Sequence, residues 1–195
     1  MTLQKYTNLK SALKKAKINL PKTTNVLEIG CLHSIYNEQL RKDFETAGNK
    51  KRTVHIVGCD FAKLKHLKKG KGTIKSWDKT HKHTEVLVFK DHTKVKHTHK
   101  RTKKKHLKKK NQYHILFSIR PDLKNQKQWF EVYTDAWNQH KKENGTFILY
   151  IAKNKGEAQK RKLFIERVKK KLNCQIAIQV KASIPLSDAE LIIFR

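Results

Sequence analysis

Asn25–Leu40 reads NVLEIGCLHSIYNEQL, and Thr53–Phe61 reads TVHIVGCDF. Each begins with a short apolar, β-branched run; the first, Asn25–Ile29, stops at Gly30 and the second, Thr53–Cys59, stops at Asp60. Between them Ile35–Ala47 carries a helical pattern that ends at Gly48, a residue that accepts the left-handed backbone beyond a last helical turn. Strand, turn, helix and second strand in succession form the unit from which parallel sheets are built.

Working outward, five further runs read as strands: Glu85–Lys90, Tyr113–Ile119, Thr146–Ala152, Cys174–Val180 and Glu190–Phe194. With the first two they make seven. Asn125–His140 has helical spacing, with Trp129, Phe130, Tyr133 and Trp137 on one side, a stripe suited to packing on a sheet. Lys155–Leu172 places Leu163, Phe164, Val168 and Leu172 likewise. The strands are too continuously apolar to have one wet face, and helices intervene, so the expected architecture is a mostly parallel sheet with helices on both faces. Residues 181–189, KASIPLSDA, are too few for a crossover helix. The last two strands are therefore expected to pair as a C-terminal antiparallel hairpin.

Charge is the second organising fact. The 195 residues carry 46 Lys and Arg against 16 Asp and Glu, a formal net charge of +30. Phe61–Gln112 alone holds 19 Lys and Arg against Asp78, Glu85 and Asp91. Within it, residues 92–111 read as a Lys- and His-rich insertion with no acid, which self-repulsion keeps from folding without a polyanion or counterions. Lys94, Lys96, Lys100, Arg101, Lys103, Lys104, Lys105, Lys108, Lys109 and Lys110 are the candidate phosphate contacts, and RNA is the expected partner. A merely solvated loop is the alternative. A membrane surface fits less well, because the segment lacks the apolar face that an interfacial helix buries.

One domain is expected from this length, with residues 1–20 as a basic N-terminal helix that an organelle could also read as a targeting signal. No apolar run approaches the roughly 18 to 20 residues of a membrane-spanning helix. Cys31, Cys59 and Cys174 are odd in number and have no CxxC spacing, so neither a disulfide-linked partner nor a zinc knuckle is expected, and a reducing compartment, cytoplasm or organelle matrix, fits best. The closest histidine pairs, His81 with His83 and His97 with His99, stand among lysines that repel a cation; no metal site is expected.

An open parallel sheet takes its ligand beyond the carboxyl ends of its strands, where the strand order reverses. At that place Glu28-Ile-Gly30-Cys-Leu32-His33-Ser34, followed by a strand ending in Asp60, resembles the first two strands of the class I S-adenosylmethionine-dependent methyltransferases. In that family an acid-x-Gly-x-Gly-x-Gly turn wraps the methionine part of the cofactor, and an acid ending strand two holds the ribose hydroxyls. The resemblance covers almost the whole chain. It implies a Rossmann-like α/β fold with seven strands, S-adenosylmethionine as cofactor, Glu28 as the turn's acid, Gly30 as its first glycine, Asp60 as the ribose acid and Asp91 near the adenine amine. Leu32 and Ser34 stand where that family has its second and third glycines, so Leu32 narrows or closes the expected pocket.

The fourth strand ends Ser118-Ile119-Arg120-Pro121. This matches neither the Asp/Asn-Pro-Pro-aromatic sequence of the amino-group methyltransferases nor the aspartate of the ribose 2′-O-methyltransferases, where Ile119 stands instead. Its Ile-Arg-Pro is similar to the same strand end in a small archaeal family of uncharacterised Rossmann-like proteins. Arg120 is a weak catalytic candidate whose planar fork suits a carboxylate or phosphate; a salt bridge to Asp122 or Glu28 is the structural alternative. His33 is a candidate base. Two functions follow: an S-adenosylmethionine-dependent enzyme acting on RNA, or an inactive methyltransferase fold kept as an RNA-binding component of a ribonucleoprotein. DNA compaction would explain the charge but not the sheet, and small-molecule methylation the sheet but not the charge.

Overall fold

A computed structural model of the chain describes residues 9–30, 43–47, 52–60, 84–90, 94–97, 113–124, 126–184 and 187–195; of residues 55–60, 84–90 and 94–97 it describes the backbone. Among the described residues eight strands form one sheet: β1 (Thr23–Ile29), β2 (Thr53–Asp60), β3 (Thr84–Lys90), β4 (Lys94–His97), β5 (Tyr113–Ile119), β6 (Lys141–Ala152), β7 (Ile176–Ile184) and β8 (Ser187–Phe194). Their order is β4-β3-β2-β1-β5-β6-β8-β7. β1, β2, β3, β5 and β6 run parallel, while β4 is antiparallel to β3 and β8 to both its neighbours.

The sheet has eight strands rather than the expected seven because Lys94–His97, inside the basic insertion, pairs along β3. Lysines in the sequence of an edge strand discourage further pairing. Most of residues 181–189 is strand: β7 runs to Ile184 and β8 begins at Ser187. Polar residues within that stretch hid a strand whose burial alternates along an edge. The hairpin is antiparallel as expected, but its second strand inserts between β6 and β7.

Helices cover both faces, as expected. α1 (Leu9–Lys15) lies on one, burying Leu9, Ala12 and Leu13 with Phe44, Ala47, Val26, Phe117 and Ile193. Thus part of the basic N-terminal segment belongs to the core. α2 (Gln126–Asp135) and α3 (Ala158–Leu172) cover the other face with Leu27, Ile29, Phe147 and Ile192. The aromatic stripe packs as expected, Trp129 and Tyr133 within this core and Phe130 and Trp137 against it. α2 ends in a π-helical turn, Ala136–His140, that brings Lys141 Nζ to 4.4 Å from the Trp137 ring. In α3 the expected inward residue Leu163 is instead 46% exposed; Phe164, Ile165, Val168 and Leu172 are buried. Ile165, Val168 and Leu172 repeat at i, i+3 and i+7, and Leu163, two residues before Ile165 at about 100° per residue, falls on the opposite side of the helix.

Candidate functional site

Strand order reverses between β1, whose neighbour β2 leads away to one side, and β5, whose neighbour β6 leads to the other. Their carboxyl ends are held in one row: Ile29 pairs with Cys59 on β2 and with Ser118 on β5. One residue further along each chain come Gly30, Asp60 and Ile119. Adjacent strands are about 4.8 Å apart, so the backbones of Gly30 and Asp60 are neighbours at the sheet's edge. Asp60 pairs with Val88 of β3, and Val88 with Lys96 of β4, which puts Lys96 on the same row.

Gly30 has φ +79°, a conformation in which a side chain is strained. A Cβ built there would also collide with Trp129 Cη2 and stand 3.0 Å from Cζ3. Trp129 in turn rests on Tyr133, with ring centroids 5.6 Å apart. Ser118 Oγ donates to the Ile29 carbonyl at 3.0 Å and shares a 2.8 Å hydrogen bond with Tyr133 Oη, both buried. Gly30 and the end of β1 are thereby held by α2 on one side and by β5 on the other. Sequence reasoning assigned Trp129 to packing and passed over Ser118 and Tyr133 as a clamp; a hydroxyl in an otherwise apolar strand was the available signal.

Glu28, two residues before Gly30, is only 2% exposed and shares its face of the sheet with Val26 and, in register, Phe117. Asp60 is described by its backbone alone. Cys31, Leu32, His33, Ser34, Asp91 and the basic residues from Lys100 to Lys110 lie outside the described residues, as does most of Ile35–Ala47. Of the insertion's candidates, Lys94 and Lys96 fall on β4.

On the other side of the β5 end is a groove of about 450 Å³, lined among others by Arg120, Asp122, Lys124, Asn154, Glu157 and Ser187. Arg120 is half-buried with φ +50°, a strained conformation for a residue with a side chain, and donates its N–H to the Tyr150 carbonyl at 2.9 Å. Asn154 Nδ2 donates to Glu157 Oε2 at 2.6 Å, and the Lys124 N–H to Asp122 Oδ1 at 2.8 Å. Arg120 therefore lines this groove. Asn154 and Glu157 come from the short connection between β6 and α3 and Ser187 from the start of β8, and no spacing in the chain announces that they meet Arg120.

The described titratable groups with displaced protonation lie elsewhere. Burial pushes the Cys174 thiol up to about 11, and burial with nearby Asp43 pushes the Tyr150 hydroxyl up. Burial, then Lys142, holds His114 below the ordinary imidazole range; its Nδ1 accepts the Asn25 N–H at 3.0 Å, at the amino ends of β1 and β5. Among the described residues no group of three or more His, Cys, Asp or Glu is placed to hold a metal, and no helix is long and apolar enough to cross a membrane.

A βαβ sheet with a left-handed glycine ending β1, an acid ending the neighbouring parallel strand and a terminal antiparallel hairpin is the Rossmann-like fold of the class I S-adenosylmethionine-dependent methyltransferases, and the solved structures similar to this chain agree. Fibrillarin from Aeropyrum pernix, solved with natively bound S-adenosyl-L-methionine, matches at a TM-score of 0.55 and 17% identity, over 96% of this chain and 74% of that one. The PH0226 protein from Pyrococcus horikoshii OT3 matches at 0.58 and 13%, over 95% and 88%. The trans-methyltransferase CalH, in complex with SAH, matches at 0.59 and 11%, over 95% of this chain and 54% of its own. No family model and no curated protein matches the sequence. At these identities the likeness is one of fold.

Proposed function

We propose that the protein binds S-adenosylmethionine at the turn after β1 and transfers its methyl group to RNA. The observation that carries this reading is the row at the switch point, where Gly30 at φ +79° stands beside the backbone of Asp60. The residues fit the cofactor. A glycine with left-handed backbone lets the chain turn close to a ligand, and an acid ending the next strand would accept ribose hydroxyls. Gly30 and Asp60 would hold the cofactor, with Glu28 beneath the turn. When bound, its sulfonium supplies an electrophilic methyl group. The work of the chain is then to hold donor and acceptor in line, and Arg120, in the groove beyond the end of β5, would orient an anionic acceptor. The natively bound S-adenosyl-L-methionine of the similar fibrillarin supports the cofactor. The net charge of +30, and Lys94 and Lys96 on a strand at the same edge, support RNA as the acceptor.

Calorimetric titration of S-adenosylmethionine into the protein tests the first step. Wild type binds, and Asp60→Ala, which leaves two ligand hydroxyls without their acceptor at about 1–3 kcal/mol, binds roughly tenfold or more weakly. No heat at millimolar cofactor would overturn the enzyme reading. Leu32 at the second glycine position favours the remaining alternative, a methyltransferase fold that only binds RNA.

A further inference from the structure

The parallel strands have a second end. At their amino-terminal end β6 begins with Lys141 and Lys142, and α3, running back from the carboxyl edge, ends with Lys169, Lys170 and Lys171. β8 delivers Arg195 there: its backbone pairs with Gln175, and its Nη2 donates to the Lys17 carbonyl at 3.1 Å, bringing in the end of α1. Residues 14–17, 141–144, 169–175 and 195 hold nine Lys and Arg and one acid, Glu143. By contrast, the groove segments 120–124, 152–157 and 187–190 hold four Lys and Arg and four Asp and Glu.

Lysines in the last turn complement a helix dipole, but that accounts for little of this pole. Three consecutive residues of a helix point about 100° apart, and Asn173 at φ 46° already closes α3, its N–H donating to the Lys169 and Lys170 carbonyls. Lys141 is engaged with the Lys142 and Glu143 carbonyls and the Trp137 ring. Lys15, Lys170 and Lys171 are exposed and Lys142 half so. Gathering like charge on one surface opposes folding by self-repulsion and is relieved when a polyanion binds.

We propose that this amino-terminal pole is a second, sequence-independent nucleic-acid surface, which grips RNA phosphates at the end of the sheet opposite the cofactor turn. It shares RNA with the function proposed above and does not depend on the cofactor. Phosphate contacts from the pole then persist when the charge of the basic insertion is removed.

The test measures binding of a 30-nucleotide single-stranded RNA against salt in three proteins: wild type, a pole variant (Lys15→Gln, Lys142→Gln, Lys170→Gln, Lys171→Gln) and an insertion variant (Lys103→Gln, Lys104→Gln, Lys105→Gln, Lys108→Gln). At about 0.7 per phosphate contact on single strands, the pole variant should lose up to about 2.8 from the log–log slope. The insertion variant should still bind with a salt-dependent slope. A pole variant with the wild-type slope overturns the proposal, as does an insertion variant without salt-dependent binding. The same pole variant should keep wild-type affinity for S-adenosylmethionine. Loss of cofactor binding in wild type as well would sink the enzyme reading and leave the RNA slopes to decide the pole.

Discussion

Gly30 is under two constraints at once, a left-handed backbone and the face of Trp129, and these can be separated. Gly30→Ala should cost about 2–4 kcal/mol, from backbone strain and a forced shift of the indole. In Gly30→Ala with Trp129→Phe, the collision term should be relieved while the φ term remains, giving a coupling of about 1 kcal/mol or more in a denaturation cycle. Strict additivity would show that the two residues do not meet. At the opposite end of β1, His114 must be neutral to accept the Asn25 N–H, and its protonation is depressed by burial and by Lys142. A depressed histidine binds fewer protons folded than unfolded, so its contribution is intact above the ordinary pKa of about 6.5 and is lost as pH falls below it. His114→Gln keeps an acceptor without a titration. Wild type should therefore lose stability relative to this variant between about pH 7.5 and 5.5, whereas a constant difference would contradict the assignment.

At the scale of elements, α3 distinguishes hydrophobic composition from hydrophobic position. Phe164 is buried between Phe130, at 5.0 Å between ring centroids, and Tyr133, at 6.4 Å, whereas its neighbour Leu163 is 46% exposed. Phe164→Ala should cost about 3–5 kcal/mol and Leu163→Gln less than about 0.5, read from urea midpoints. Equal costs would place Leu163 in the core after all. The Ser118–Tyr133 pair makes a comparable claim about the turn. Tyr133→Phe removes one buried hydroxyl and leaves Ser118 its bond to the Ile29 carbonyl, so it should cost about 1 kcal/mol. Ser118→Ala removes both bonds and leaves the Tyr133 hydroxyl buried without Ser118. It should cost more and, if the clamp positions the turn, should also weaken S-adenosylmethionine binding in calorimetry.

On the scale of the whole molecule, the fold was legible because periodicity and composition record burial directly. Continuous apolar runs such as Tyr113–Ile119 are buried on both faces, and the aromatic stripe from Trp129 to Trp137 follows a helix. The positions of Glu28, Gly30 and Asp60, along with the charge of the insertion, were also fixed by order along the chain. Burial is a property of three-dimensional surroundings wherever a strand lies at an edge or in the middle of a hairpin. That is why β4 and the inner ends of β7 and β8 were not visible, and why Leu163 was turned the wrong way. Only the folded chain could bring Asn154, Glu157 and Ser187 to Arg120, clamp Gly30 with Trp129 and Ser118, and gather lysines from α1, β6 and α3 at one pole. Local pattern determines which face of an element is apolar, because that depends on neighbours within a few residues. Which elements share an end depends on the order of strands in the sheet, and that is set by packing between residues far apart in sequence.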